Sequence, residues 1–242
     1  MSTNQEHFSN STLPRVIAII GSDGSGKSTL SQDLLLHFQS TQRQQNIELI
    51  YLGQSSGNIA IWIKSIPLIG GVFGRFLEKK AARSHEKKEA PPDNATVIVV
   101  YLLSLWRTHK FRRLLSLSKQ GRLVLTDRYP QAQIVGFHFD GPGLTASHAS
   151  SWLGKKLAAR EYRLYQWMAS HRPSLVIRLN IDAETAHARK PDHKLSTLRE
   201  KTEAIPKLHF NGAKILDLSS LDPYPLVLER AIQASEEVLQ GT

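Results

Sequence analysis

The run Arg15-Val16-Ile17-Ala18-Ile19-Ile20-Gly21-Ser22-Asp23-Gly24-Ser25-Gly26-Lys27-Ser28-Thr29 decides the fold of this chain. Its first part, Arg15 to Ile20, is an apolar, β-branched stretch of strand length that ends on a glycine. From Lys27 the pattern turns helical, with Leu30, Leu34 and Phe38 along one stripe. Between the two lies the spacing G-x-x-x-x-G-K followed by a hydroxyl residue, met by Gly21, Gly26, Lys27 and Ser28. The glycines let consecutive backbone N–H groups curl around a phosphate, and the helix that follows points its positive end at the same anion. A chance match in a chain this long arises roughly once in a hundred, and the strand before and helix after supply the required context. The spacing therefore predicts a phosphate-binding loop.

Lys27 is expected to reach the β and γ phosphates of a nucleotide. The Ser28 hydroxyl is expected to join the shell of a bound Mg²⁺, and Thr29 to add a phosphate contact. Gly21, Ser22, Asp23, Gly24, Ser25, Gly26, Lys27, Ser28 and Thr29 are thus the candidate nucleotide-binding residues, with ATP and Mg²⁺ as the expected cofactors. Asp23 stands out, because an acid inside an anion-binding loop lies close to the nucleotide's own charge. It is explained if it faces a second substrate and accepts a hydrogen bond from that substrate's hydroxyl. The alternative is a turn-forming aspartate that fixes the loop.

Working outward, further apolar runs of strand length occur at Ile47–Leu52, Leu123–Thr126, Leu175–Ile181 and Ile215–Leu218. Helical stretches separate them. One is capped by Asp93 or Asn94 and runs from Ala95 to Gly121, with a first half, Val97 to Trp106, apolar nearly all round and expected to be buried. Others span Ser151–Ser170, a short piece from Ala183, and Leu226–Leu239. Strands alternating with helices predict an α/β fold, a parallel sheet covered on both faces. At 242 residues the expectation is a single domain over 15–242, with residues 1–14 a flexible polar N-terminus.

Asp127 and Arg128 follow the strand Leu123–Thr126, and in open α/β sheets ligands gather at the carboxyl ends of strands. Asp127 can hold Mg²⁺ through water or accept a proton, and Arg128 can clamp an acceptor phosphate with its planar fork. A structural ion pair is the alternative for these two residues. Taken with the phosphate loop, the strand ending in Asp127-Arg128-Tyr129-Pro130 makes the chain resemble the thymidylate kinase group of nucleoside monophosphate kinases. The resemblance covers the loop, this strand end, the strand at Leu179-Asn180-Ile181-Asp182 and the basic segment after it. It implies a three-layer, five-stranded parallel sheet in the order 2-3-1-4-5 with a lid. It also implies that Asp23 meets a sugar hydroxyl of the acceptor and that Arg128 binds the acceptor phosphate. Two acceptor loops depart from that group. Tyr51-Leu52-Gly53-Gln54-Ser55-Ser56-Gly57 replaces a TREPGG-type loop, and Gln131-Ala132-Gln133-Ile134-Val135-Gly136 replaces a base-reading SSxAYQ-type segment. Thymidylate is therefore expected to be a poor acceptor.

Phosphoryl transfer needs charge stabilisation more than covalent chemistry. Position 25 in the loop is Ser, not Arg, so the cation must come from elsewhere. Arg189-Lys190-Pro191-Asp192-His193-Lys194, with Arg199 and Lys201 beyond, is the lid candidate, and Arg189 and Lys190 are the expected suppliers. An exposed charged helix start is the bland alternative.

The net charge of +10 is uneven: between Lys64 and Arg128 there are 14 Lys or Arg against 5 Asp or Glu. Such a field draws anions, although aromatics do not interleave with the basic residues as in a stacking platform, which disfavours nucleic acid. Lys64, Pro67 and Arg75 interrupt the apolar segment Ile59–Leu77, arguing for a pocket cover or core packing over a membrane-surface contact. Cysteine is absent, the first ten residues carry no apolar signal core, and a cytoplasmic location is expected. The function expected is an ATP-dependent kinase acting on a nucleotide, a nucleoside or another small acceptor, with a homodimer left open. The alternative is a regulatory nucleotide-binding protein, or a degenerate kinase, associated with a membrane or protein partner.

Overall fold

Five strands, β1 (Ser11–Gly21), β2 (Ile47–Tyr51), β3 (Leu123–Asp127), β4 (His171–Asn180) and β5 (Ile215–Ser219), form one sheet. Their order is β2-β3-β1-β4-β5, and every neighbouring pair is parallel. Among the described residues six α-helices accompany them: α1 (Lys27–Thr41), α2 (Asn94–Lys119), α3 (Trp152–Ala169), α4 (Ala183–Arg189), α5 (Leu195–Ala204) and α6 (Tyr224–Gln240). The computed structural model describes residues 11–41, 47–53, 94–134, 143–144 and 151–241. The apolar segment Ile59–Leu77, most of the loop after β2, and positions 135–142 of the segment after Pro130 lie outside the described residues. The expected α/β class, the strand order and the parallel sheet are all present.

The chain divides into two compact units. The first comprises residues 1–52, 110–134 and 166–242 and contains the whole sheet. Its core joins Ile17 and Ile19 of β1, Leu123 and Leu125 of β3, and Leu175 and Ile177 of β4 to Leu30, Leu34 and Phe38 of α1 and Val227 and Ala231 of α6. The α1 stripe is thus buried as its spacing required. Each such side chain stabilises the fold by roughly 1.5–3 kcal/mol relative to exposure. On aromatic contacts of the same unit, Phe111 meets Tyr129, Trp167 and His171 edge-on at ring-centroid distances of 5.5–5.8 Å.

Two strands are longer than the sequence pattern predicts. β1 begins at Ser11, not Arg15, and β4 at His171, not Leu175. Pro14 and Pro173 look like strand stops because proline donates nothing to a ladder. Here a bulge absorbs them. Leu13 pairs with Pro173 and Ile17 with Leu175, so Pro14, Arg15 and Val16 oppose Ser174 alone. Arg15 takes a left-handed φ of 58° to make room, as the extra residue of a bulge often does. The Ser174 and Ser118 hydroxyls donate to the Leu13 and Pro14 carbonyls.

The second unit comprises residues 53–109 and 135–165. Val97, Val99, Val100 and Leu103 are buried in it, but Ile98 and Leu105 are each 38% exposed. The expectation that this half of α2 is buried all round is therefore corrected: residues seven apart share a helix face, and that face stays open. Glu161 is buried, takes hydrogen bonds from the Ser104 hydroxyl and the Leu144 N–H, and has its pKa pushed up to about 7 because burial disfavours its charged form.

Candidate functional site

Strand register brings the chemistry together. Ile19 of β1 lies beside Asp127, the last residue of β3, and Gly21, the last of β1, beside Leu179 of β4, so the loop after β1 sits between its neighbours' ends. Gly24 and Gly26 have φ of 81° and 88°, a region costly for other residues. A Cβ on Gly24 would lie 2.8 Å from the Ala186 carbonyl, so α4 packs directly on the loop. Lys27 is buried, and its Nζ donates to the Ser22 carbonyl at 2.6 Å. Among the described residues the buried Ser22 and Ser25 hydroxyls have no hydrogen-bond partner, a feature that concentrates where ligands bind.

On the β3 side, the Ser28 hydroxyl donates to Asp127 Oδ2 at 2.7 Å. The other oxygen, Oδ1, is buried and accepts no hydrogen bond, with Arg128 Nε 4.0 Å away. Arg128 has φ of 77°, a strained value costing about 1–3 kcal/mol. Its N–H donates to the Ile19 carbonyl, and Leu52 N–H donates to the Asp127 carbonyl, which fixes the turn. The conformation carries the guanidinium to 3.5 Å from Asp23 and 5.5 Å from the Tyr51 ring centroid. Lys110 of α2 approaches the same ring at 5.2 Å and donates to the Tyr51 carbonyl at 2.6 Å. Tyr129, by contrast, serves the fold: it is buried, bonds the His171 carbonyl, and burial pushes its phenol above the ordinary range.

On the β4 side, Asp182 caps α4 by accepting from the Thr185 N–H. α4 ends at Arg189, whose guanidinium donates to the Gly24 carbonyl at 3.3 Å and the Ser220 carbonyl at 3.0 Å. Arg189 thus straddles the phosphate loop and the turn after β5, while Lys190 is exposed. The turn after α5 is stapled to the sheet by Arg178, which grips Asp217 through two nitrogens at 2.5 and 2.7 Å and donates to the carbonyls of Ile205, Pro206 and Leu208. That staple places Lys201 of α5 2.5 Å from Asp23. Burial works to raise the Asp23 pKa, but the Lys201 hydrogen bond and the charges of Lys201, Lys27 and Arg128 outweigh it and hold the carboxyl at about 2.

The structure therefore gathers Gly21 to Ser28, Asp127, Arg128 and Arg189 around one loop, as the sequence grouped them, whereas Lys190 is exposed and bonds through its backbone, to the Ala186 and His187 carbonyls. The Lys201 partner of Asp23 and the Tyr51–Lys110 contact escaped sequence reasoning. A signal for Lys201 was present: Leu198, Lys201 and Ile205 follow helical spacing, and a lysine on a stripe whose neighbours are buried needs a partner.

A parallel sheet of this order, with a phosphate loop between its central strand and the following helix, defines a P-loop α/β protein. No protein-family model matches the chain. It is 51% identical over 238 residues to an uncharacterized ATP-binding protein, YghS, of Escherichia coli (strain K12), spanning 98% of this chain and 99% of that protein. It is 43% identical over 222 residues to a second uncharacterized ATP-binding protein of the same strain, YghR, spanning 92% of this chain and 87% of that one. The chain belongs to the family of YghS and YghR. Among the described residues, no helix is long and apolar enough to cross a membrane.

Proposed function

We propose that this chain binds ATP with Mg²⁺ and transfers the γ-phosphoryl group to a hydroxyl of a small acceptor. The carrying observation is Asp23, an ionised acid inside the phosphate loop, within 3.5 Å of the strand-end arginine Arg128. In a loop that only held nucleotide, that charge would lie against the ligand's own phosphates. That YghS and YghR are named ATP-binding proteins supports the donor.

Ser28 and Asp127 would hold Mg²⁺. The fit is good, because a hydroxyl and a carboxylate with one unsatisfied buried oxygen form a hard-oxygen set. When bound, the ion neutralises charge on the β and γ phosphates. Lys27 releases the Ser22 carbonyl and turns to those phosphates. Arg128 orients the acceptor, and Asp23 accepts a hydrogen bond from its hydroxyl. The hydroxyl oxygen then attacks phosphorus, the bond to the β,γ-bridging oxygen breaks, and ADP leaves. At about 2, the Asp23 pKa makes it too weak a base to remove the proton first. In a loose transition state the proton is lost late, passing to an oxygen of the transferred phosphoryl group and from there to solvent.

An ATP-consumption screen across nucleosides, nucleotides and sugars tests the proposal; a folded protein that consumes ATP with none of them, and binds it without turnover, favours the regulatory alternative. Thymidylate is expected to be a poor acceptor, since neither loop that grips it in the thymidylate kinase group is matched. A kcat/KM for thymidylate of about 10⁴ M⁻¹s⁻¹ or above would contradict this.

Arg128 and Arg189 should act at different stages. Arg128→Ala is expected to raise the acceptor KM, because the arginine sits at a fixed strand end beside Asp23. Arg189→Ala, made with and without Lys190→Ala, is expected to lower kcat with little change in ATP affinity. If both lid cations can be removed with kcat kept within about twofold, the lid role is wrong.

A further inference from the structure

Asp23 is faced by three cations, Lys27 of the loop itself, Arg128 after β3 at 3.5 Å and Lys201 of α5 at 2.5 Å, and by the His193 imidazole after α4 at 3.9 Å. In the mechanism above, Lys27 turns to the donor phosphates and Arg128 to the acceptor. His193 stands beyond hydrogen-bond reach of the carboxylate. The cation that no substrate claims is Lys201. Its ammonium and the Asp23 carboxylate are both largely buried, so solvent screens the pair weakly.

The surroundings show that this ion pair is more than a byproduct of packing. A cavity of about 220 Å³ lies between the loop, the ends of β4 and β5, and α5, with Ser22 and Thr202, the chain neighbours of Asp23 and Lys201, in its wall. Helix α5 is therefore not close-packed against the loop there. It is held as well by the Arg178 staple below and by Leu198, which is buried against Ile181 and Ala186. Lys201 reaches across to the acid from a helix that has these other anchors.

We infer that Lys201 is a positioning residue of this site: it is the countercharge that lets the phosphate loop carry Asp23 while holding a polyphosphate, and it keeps that carboxylate in place for the acceptor hydroxyl. The inference rests on the proposed ATP-binding function and extends it to a residue outside the loop motif. Without Lys201, a bound triphosphate draws Lys27 away and leaves Asp23 beside it with Arg128, at 3.5 Å, as its remaining countercharge. Nucleotide affinity should then depend on both residues together. A merely structural ion pair predicts no such coupling, because its loss would be read in stability.

The test is a double-mutant cycle on the full chain, with Mg·ATP as the probe, calorimetric Kd as the readout and thermal unfolding as the fold control. Lys201→Gln is expected to weaken Mg·ATP binding about tenfold, and Lys201→Arg to stay within about threefold of the wild type. Adding Asp23→Asn to Lys201→Gln is expected to restore affinity to within about threefold, because the repelling charge is gone. A Lys201→Gln protein within twofold of the wild type, or a double variant no better than the single one, overturns the inference while leaving ATP binding intact. A wild-type chain that does not bind Mg·ATP removes the function proposal, and this inference with it.

Discussion

Lys27→Ala should reduce acceptor-dependent ATP consumption by about a hundredfold or more while leaving a folded protein. The ammonium is buried and held by the Ser22 carbonyl inside the loop, so it lies where the β and γ phosphates must pass. No second loop residue can take its place, since the remaining positions between Gly21 and Ser28 are glycine, serine and the acid. Truncation leaves the Ser22 carbonyl without that donor, costing about 1–2 kcal/mol, which a core joining all five strands to α1 and α6 should tolerate. Circular dichroism should therefore match the wild type while turnover collapses. Unchanged turnover in the folded variant would remove the phosphotransfer proposal at its root.

Lys27 was legible because the chemistry there is local. A phosphate loop is written in consecutive residues, and the β-branched run before it and the α1 stripe after it share the same short window. The strand order was legible only through the resemblance that the loop and the Asp127-Arg128 end carry. Prolines hid the starts of β1 and β4, since a bulge that accommodates Pro14 opposite Ser174 depends on two segments about 160 residues apart meeting. The partners of the site were hidden for the same reason. Lys110 reaches Tyr51 across 59 positions, and Lys201 reaches Asp23 across 178. No spacing rule covers such distances. The charge on Lys201 was visible, and so was the puzzle of Asp23; that each answers the other emerges only when Arg178 pins the turn after α5 to the sheet.

Arg189 illustrates the opposite case. Its charge and its position after β4 suggested a cation ready to swing over the donor. The structure has its guanidinium on two backbone carbonyls, of Gly24 and Ser220. Both contacts are made on exposed surface, where water competes for the same carbonyls. They are weak enough to exchange when a nucleotide enters, so a resting contact of this kind is compatible with a part in transfer. The pairing of kcat with ATP affinity in the Arg189 and Lys190 variants decides the matter.

Asp127→Asn should abolish Mg²⁺-dependent turnover, by about a hundredfold or more, and at the same time preserve or raise thermal stability. Two observations make this a paired expectation. First, Asp127 is only 4% exposed and its Oδ1 accepts no hydrogen bond, so the native fold bears a buried charge with one oxygen unsatisfied. Groups in that state cost stability, and replacing the carboxylate by a carboxamide of the same shape relieves the charge. Secondly, Ser28 Oγ meets Oδ2 at 2.7 Å, and a hydroxyl can reverse to accept from an amide in that position. The local geometry is therefore kept, while the anionic oxygens that draw a hard cation are lost. Stability and function move in opposite directions at such a residue, as expected where a site is built at the expense of the fold. The measurement is a Mg²⁺ titration of ATP turnover beside a thermal melt. A variant that retains the Mg²⁺ dependence of the wild type would show that Asp127 holds no ion, whereas one that melts well below the wild type would assign the carboxylate to the fold.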